Sequence, residues 1–406
     1  MSRISGKNVI LGVTGGIAAY KACELVRSLV REGASVQVIM TQNATQFVSP
    51  LTFQTLSGKR VAIKTFDLEW ESEIGHIKLA DTADLIVVAP ATAAFIGKAA
   101  SGMADNLLLT VLLATKSPVL LCPAMNVNMY SNPAVQENVE KLRKRGFLVL
   151  EPEEGNLACG WEGKGRLPEI EEIVEHVEKA FSPKDLVGER ILVTAGATRE
   201  FIDSVRFISN PSSGKMGYAI ARTGWMRGGD VILISAKAEV PPLRSVRLIN
   251  APSVSEMYEA VMRNLNWATI VIKAAAVGDY RPVETIQGKL KKSPKEFTLK
   301  LERTEDILLD VGKRKNGRLV VGFAAEAEDI VENSLGKLRK KNADLIVAND
   351  ILKPGAAFGE DTNAVYFVDK WGKVEELPVM TKHEVAERIF DKIMEIKGQR
   401  SIQGDL

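Results

Sequence analysis

Cysteine is scarce: Cys23, Cys122 and Cys159 are the only three in 406 residues. So few, so widely spaced, build neither a disulfide framework nor a zinc site, and free thiols suit a reducing, cytoplasmic setting. Charge of one sign is also lacking. Lys plus Arg number 53 against 51 Asp plus Glu, a formal net charge of +2. That argues against a general nucleic-acid or membrane-surface binder. No stretch of roughly 20 apolar residues could span a bilayer, and Met1 to Lys7 carry no signal-peptide core. Two nucleotide motifs are missing as well. The turn Thr14-Gly15-Gly16 lacks the glycine spacing of a dinucleotide fingerprint, and the stretch ending Gly214-Lys215 lacks the first glycine of a Walker A loop.

What is present is a strand–helix alternation that runs twice. Val9 to Val13, Ser35 to Met40, Leu85 to Ala89, Pro118 to Cys122 and Phe147 to Leu150 read as strands, with a helix over Ile17 to Glu32 stopped by Gly33. Continuous apolar strands separated by helices indicate a doubly wound parallel sheet. An acidic helix, Ile170 to Ala180, leads into the polar, proline-bearing stretch Phe181 to Asp185, and the alternation restarts. Ile191 to Thr194, Asp230 to Ser235, Ile270 to Ala274, Leu319 to Phe323 and Leu345 to Ala348 are its strands, and Lys215 to Arg227 is a helix. Ser253 and Glu256 have capping-box spacing. Asn363 to Val368 with Val374 to Leu377 read as a closing hairpin, and His383 to Lys397 as a final helix. The fold class is therefore α/β, with two tandem Rossmann-like three-layer domains. The expected bounds are 1–181 and 191–406, joined by a linker at 182–190.

Chemistry-bearing residues gather at strand ends, where open α/β sheets bind ligands. Gly15 and Gly16 permit close approach of a phosphate to a helix start; a plain tight turn is the alternative. Thr41 and Thr92 occupy similar positions, and the set suits a mononucleotide-type ligand such as a flavin. Asn126, just past the strand that ends at Pro123, is either a ligand-binding amide or an Asx turn. Cys159, between Ala158 and Gly160, is either a reactive thiol or a small buried hydrophobe. His76 is either a site residue or a surface histidine. Cys23 and Cys122 read as packing. In the second half, Arg206 through Gly217 open a helix with small hydroxyl residues, glycines and Lys215, either a phosphate site or an ordinary serine N-cap. Asp279, after Ala274-Ala275-Ala276, offers a carboxylate for Mg²⁺ beside a triphosphate. The run Lys289 to Lys295 is a basic loop. Lys337 and Lys341 share a helix face as unpaired like charges, which suits an anionic partner.

Pro123-Ala124-Met125-Asn126, Ala158-Cys159-Gly160 and Arg206 through Gly217, in this order, resemble one family over nearly the whole chain. It is the bifunctional flavoprotein of coenzyme A biosynthesis, phosphopantothenoylcysteine decarboxylase fused to phosphopantothenate–cysteine ligase. The resemblance implies a flavodoxin-like, FMN-binding decarboxylase domain followed by a CTP-dependent ligase domain. FMN would be held by Gly15, Gly16, Thr41, Thr92 and Met125. The cysteinyl thiol of 4′-phosphopantothenoylcysteine is oxidised to a thioaldehyde, CO₂ leaves, and the enethiol is reduced to 4′-phosphopantetheine. His76 is then base or orienting group, Asn126 holds the substrate carboxylate, and Cys159 donates a proton, a role open to a thiol of pKa near 8.5. In the ligase domain, 4′-phosphopantothenate attacks CTP to give an acyl-cytidylate, which cysteine converts to product. Lys289 promotes cytidylate formation, a cation offsetting phosphate charge. Asn210 serves the second step, and Arg206 belongs to the same motif. Ala274, Ala275, Ala276, Asp279, Ile307, Phe323, Lys337 and Lys341 contact the nucleotide, with Mg²⁺ at Asp279. A homo-oligomer, a dodecamer of flavin-domain trimers and ligase-domain dimers, is implied, in which His76 serves its own site or a neighbour's.

Three positions depart from the family's usual pattern: Ala94-Phe95 beside the flavin, Ala197 in the first ligase turn, and Ala236-Lys237 after Ser235. Two other readings compete. One is a flavin-binding regulatory module, opposed by the joint presence of His76, Asn126 and Cys159. The other is a nucleotide-dependent oxidoreductase in the second half, opposed by the missing dinucleotide fingerprint and by the Lys289 loop.

Overall fold

A computed structural model describes residues 2–65, 75–156, 161–289, 298–326, 329–350, 353 and 359–403. They divide into two compact units, Met1–Ser182 and Pro183–Leu406. The first is built on five parallel strands, β1 (Asn8–Val13), β2 (Ser35–Met40), β3 (Leu85–Ala91), β4 (Val119–Pro123) and β5 (Leu148–Val149), in the order β2-β1-β3-β4-β5. That is the flavodoxin-like order, with its switch between β1 and β3. Alternate residues serve opposite faces. Val9, Leu11 and Val13 pack with Leu25, Leu29 and Ile173 on one side. Ile10, Ile86 and Val88 pack with Ile96 and Leu108 on the other. The helix expected over Ile17 to Glu32 divides into a 3₁₀ turn, Ile17–Tyr20, and an α-helix, Lys21–Arg31, whose buried Ala22, Leu25, Val26 and Leu29 form one stripe. A short antiparallel hairpin, β6 (Glu153–Asn156) and β7 (Glu162–Arg166), follows β5.

The second unit has an eight-stranded sheet and three small two-stranded ones. In chain order its strands are β8 (Arg190–Ala195), β9 (Arg199–Phe201), β10 (Phe207–Ser209), β11 (Asp230–Ser235), β12 (Arg247–Asn250), β13 (Ile270–Lys273), β14 (Tyr280–Pro282), β15 (Leu301–Arg303), β16 (Leu319–Glu326), β17 (Leu345–Asp350), β18 (Thr362–Asn363), β19 (Val365–Asp369), β20 (Val374–Glu376) and β21 (Met380–Thr381). The large sheet runs β12-β11-β8-β13-β16-β17-β19-β20, parallel through β17 and antiparallel over its last two strands. From β8 the chain winds first toward β11 and β12, then returns to lay β13 on the other side. The switch point therefore lies between β8 and β13. The closing hairpin is β19–β20. The final helix, Lys382–Gln403, sinks Val385, Ile389, Phe390, Ile393 and Ile396 into the core beside Tyr218 and Ala221. Buried Arg227 bonds Asp185 and Asp391, and fully buried Asp344 takes Lys315 and Arg400, tying the same helix down. Ser253 and Glu256 do form a capping box. Among the described residues no helix is long and apolar enough to cross a membrane.

Candidate active sites

The first unit holds a cavity of about 830 Å³ beyond the carboxyl ends of β1, β2, β3 and β4. Gly15, Gly16, Thr41, Thr92, Met125 and Asn126 all line it. The glycine turn is close-packed: a Cβ on Gly15 would sit 2.4 Å from Cβ of Asn43. Thr14 laces two loops together, its Oγ1 donating to the carbonyl of Pro90 (2.7 Å) and accepting from the amide of Thr92 (3.1 Å). Thr92 caps the helix Ala93–Ser101, accepting from the amide of Phe95 at 3.4 Å. Asn126 forms the Asx turn that the sequence allowed. Its Oδ1 accepts from the amide of Asn128 at 2.8 Å, heading the helix Val127–Tyr130, while the residue faces the cavity.

Strand β7 of the hairpin packs against this loop. The amide of Met125 donates to the carbonyl of Gly165 at 3.0 Å, and a Cβ on Gly165 would stand 2.2 Å from the carbonyl oxygen of Met125, so only glycine fits. Glu151 anchors the hairpin's base, accepting from the hydroxyl of Tyr130 (2.8 Å) and pairing with Lys164 (2.6 Å) and Arg143. Burial, then the bond to Glu151, pushes the Tyr130 phenol up to about 12. Cys159, with Ala158 and Gly160, lies between β6 and β7, outside the described residues. His76 heads the helix His76–Thr82, half-buried, and is not among the cavity's lining residues. Tyr20, Lys21, Asn43, Lys98 and Arg166 line the cavity without any signal in the sequence. The lining is polar around Thr14, Gly15, Gly16, Asn43 and Thr92 and apolar around Phe95, Met125, Met129 and Leu167. Such a two-sided site fits FMN, a flat ring system on a phosphate-tipped chain.

The second unit holds a cavity of about 950 Å³ beyond the carboxyl ends of β13, β16 and β17, beside the loop after β10. It gathers Asn210, Ala274, Ala275, Ala276, Asp279, Ile307, Phe323, Lys337 and Lys341. The helix Lys215–Met226 is capped not by a serine but by Gly214 in the left-handed region (φ 78°), where a Cβ would meet Ala238 at 2.7 Å. Gly217 lets that helix press on β8: its Cβ would lie 2.5 Å from Cβ of Ala195. Asn210 is held by its Nδ2 donating to the carbonyl of Val277 at 3.3 Å. The alanine run is laced to the first turn, Ala275 N to Thr194 Oγ1 (3.2 Å) and Gly278 N to Thr198 Oγ1 (3.0 Å). Asp279 exposes its carboxylate. No cluster of three His, Cys, Asp or Glu exists among the described residues, so a cation at Asp279 would need oxygens from phosphates and water.

Arg206 and Lys289 are exposed and are not among the lining residues. Their loops are joined, since the amide of Ser204 donates to the carbonyl of Gly288 at 3.2 Å, and Arg206 stands 3.6 Å from buried Asp203. Of the basic run, Leu290 through Lys295 lie outside the described residues. The expectation of unpaired charges at Lys337 and Lys341 is corrected. Lys341 forms an ion pair with Asp306, which caps the helix Ile307–Lys313, and Lys337 also has a partner. Sequence reasoning missed Asp306, Lys273 and Lys382, which line the same cavity as Lys215. Lys273 did carry a signal, a single charge closing the apolar run Ile270-Val271-Ile272. Burial pushes its ammonium below the ordinary lysine range, against the pull of Asp306 and Asp279.

A flavodoxin-order sheet with a two-sided cavity, joined to a mostly parallel sheet with a lysine-rich cavity, defines a two-domain α/β flavoprotein enzyme. Residues 2–182 match the Flavoprotein family model, and residues 186–396 match that of the DNA/pantothenate metabolism flavoprotein C-terminal domain. The coenzyme A biosynthesis bifunctional protein CoaBC of Bacillus subtilis is 48% identical over 98% of this chain and 98% of its own. That of Vibrio cholerae is 44% identical over 97% of this chain and 100% of its own. The crystal structure of the C-terminal domain of a CoaBC protein is 42% identical, covers 53% of this chain and 99% of its own, with a TM-score of 0.46. The chain belongs to the bifunctional CoaBC family. It is an enzyme of coenzyme A biosynthesis with two activities, phosphopantothenoylcysteine synthetase and FMN-dependent phosphopantothenoylcysteine decarboxylase.

Proposed function

We propose that the ligase half, residues 191–406, uses CTP and Mg²⁺ to join cysteine to 4′-phosphopantothenate, and that residues 1–181 decarboxylate the product, with 182–190 as linker. The observation that carries the reading is the meeting of Asn210, Asp279, Lys337 and Lys341 in one cavity next to a topological switch point. The carboxylate of 4′-phosphopantothenate attacks the α-phosphorus of CTP and pyrophosphate leaves. The amine of cysteine then attacks the acyl carbon and CMP leaves. Lys289 offsets charge that develops on the phosphate. Asn210, fixed to Val277, positions the intermediate for the amine, and Arg206 flanks it from the adjoining loop. Ala274, Ala275, Ala276, Ile307, Phe323, Lys337 and Lys341 hold the nucleotide. Asp279 would hold Mg²⁺, which would offset the charge of the triphosphate.

In the other half, Gly15, Gly16, Thr41, Thr92 and Met125 hold FMN, which supplies two-electron oxidation and reduction when bound. Asn126 fixes the substrate carboxylate by its amide. Cys159 gives up the proton needed for the final reduction. His76, off the lining of its own chain's cavity, acts as base or orienting group by completing a neighbour's site in a dodecamer of flavin-domain trimers and ligase-domain dimers. The enzyme works in the cytoplasm on small molecules. Isothermal titration with CTP, ATP and NADPH tests the nucleotide: CTP is expected to bind most tightly, and a preference for NADPH would overturn the ligase assignment. Cys159→Ser tests the thiol. Decarboxylation is expected to stall before reduction, and normal turnover would remove the assigned role.

A further inference from the structure

Lys273 is the last residue of β13, paired in register with Thr194 of β8 and Gly322 of β16. It therefore sits at the carboxyl edge of the strand that borders the switch point. Alternation puts its side chain on the face of Val271, which packs with Ile307, Leu308 and Leu338. That face is covered by the helices carrying Asp306 at one cap and Lys337 and Lys341 on one side. The Lys273 side chain is half-buried and lines the cavity. Among the described residues its ammonium makes no hydrogen bond or ion pair, although Asp306 and Asp279 act on it electrostatically. Asp306 is already engaged by Lys341 and by the amide of Leu309.

A cation drawn out of water without a direct partner is costly. Structural lysines escape that cost by pairing, as buried Lys392 does with Asp369 at 3.0 Å. Lys273 does not, and the space before it is a cavity it shares with Lys337 and Lys341. The same lining carries Lys215, Lys340, Lys382 and Arg303, so its cations outnumber the carboxylates of Asp279, Glu305 and Asp306. The missing counter-charge must come from what the cavity takes up.

We infer that Lys273 is a further substrate-binding residue of the ligase half, its ammonium bonding directly to the phosphate chain of the nucleoside triphosphate. The inference rests on reading this cavity as the nucleotide site. A lysine on the floor of the sheet would draw the chain inward while Asp279 holds the cation at the rim. A sheet-borne contact is also more fixed than one on a loop.

The test compares wild type with Lys273→Met, which keeps length and removes charge, and Lys273→Arg, which keeps charge. Steady-state ligation is followed by pyrophosphate release, and binding of CTP and of inorganic triphosphate by calorimetry. Lys273→Met is expected to raise KM for CTP and weaken inorganic triphosphate binding by about ten-fold or more, the scale of a charged hydrogen bond, with little change in KM for cysteine. Lys273→Arg is expected to recover most of the loss. Should the methionine variant fail to fold, Lys273→Gln, which can still donate a hydrogen bond, is expected to fall between wild type and a full loss. Wild-type affinity for CTP and triphosphate in a folded neutral variant, or an equal loss in the methionine and arginine variants, overturns the inference and leaves the ligase assignment standing. Absence of CTP-dependent pyrophosphate release from the wild type overturns the assignment itself.

Discussion

Lys341 crosses from its helix to Asp306, the N-cap of the helix Ile307–Lys313, and one carboxylate serves both the cap and the ion pair. Burial pushes the Asp306 carboxyl up. The bond from Lys341, the amide of Leu309 and the charges of Lys341 and Lys273 outweigh it, so the group sits below the ordinary aspartate range. A carboxyl with a depressed folded pKa adds stability that is complete above its unfolded pKa. That stability disappears as pH falls through the folded value. Lys341→Met is expected to move the acid unfolding of the ligase half to higher pH, with a loss of about 1 kcal/mol or less near neutrality, since the pair is partly exposed. Circular dichroism against pH checks this; an unmoved acid limb contradicts it.

Gly165 and Met125 make a second prediction. A methyl group at position 165 would come within 2.2 Å of the carbonyl oxygen of Met125, so Gly165→Ala must lift β7 off the Pro123–Asn126 loop. A cost of about 1–3 kcal/mol is typical of such overpacking. Purified protein is expected to lose bound flavin, read from its visible absorbance, while CTP-dependent pyrophosphate release persists. Full flavin content would contradict the hairpin's part in shaping the cavity.

The converse is expected of Gly217. Its Cβ would stand 2.5 Å from Cβ of Ala195, so Gly217→Val displaces the helix Lys215–Met226 and the loop that presents Asn210. Ligation should fall by at least about ten-fold, the scale of a misplaced site, with flavin absorbance unchanged. Unaltered ligation would show that the close helix–strand contact does not position the site.

Tyr130 gives an alkaline signature. Its phenol is raised from 10.0 to about 12 by burial and by Glu151. Folding therefore favours the neutral ring. The stability it adds is intact below pH 10 and is lost as pH climbs toward 12. Tyr130→Phe should lower stability at neutral pH and flatten the dependence between those values, measured by thermal melting. A variant with the wild-type alkaline slope would contradict this.

Much of the scaffold is legible in the residues. Leu85 to Ala89 and Leu319 to Phe323 are apolar runs too short for helices, and both lie in buried parallel strands. Ser253 and Glu256 specify a helix start by local chemistry alone. Hairpin β6–β7 escaped notice because Glu153–Asn156 and Glu162–Arg166 mix charge and glycine without alternation. The three-residue strands β9, β10, β14 and β15 are too short to carry a period. Lys341 looked unpaired because its partner, Asp306, lies 35 positions away and only the fold brings them together. Lys273 was absorbed into a strand whose one charged residue is its most informative.

One chain with both activities should carry out the two reactions from a single mixture. Supplying the FMN-loaded protein with 4′-phosphopantothenate, cysteine and CTP, and following CMP and CO₂ together, tests this most directly. The prediction is release of both, with CO₂ dependent on CTP and abolished by omitting cysteine. Formation of CMP with no CO₂ from flavin-replete enzyme, or of neither product, would contradict it.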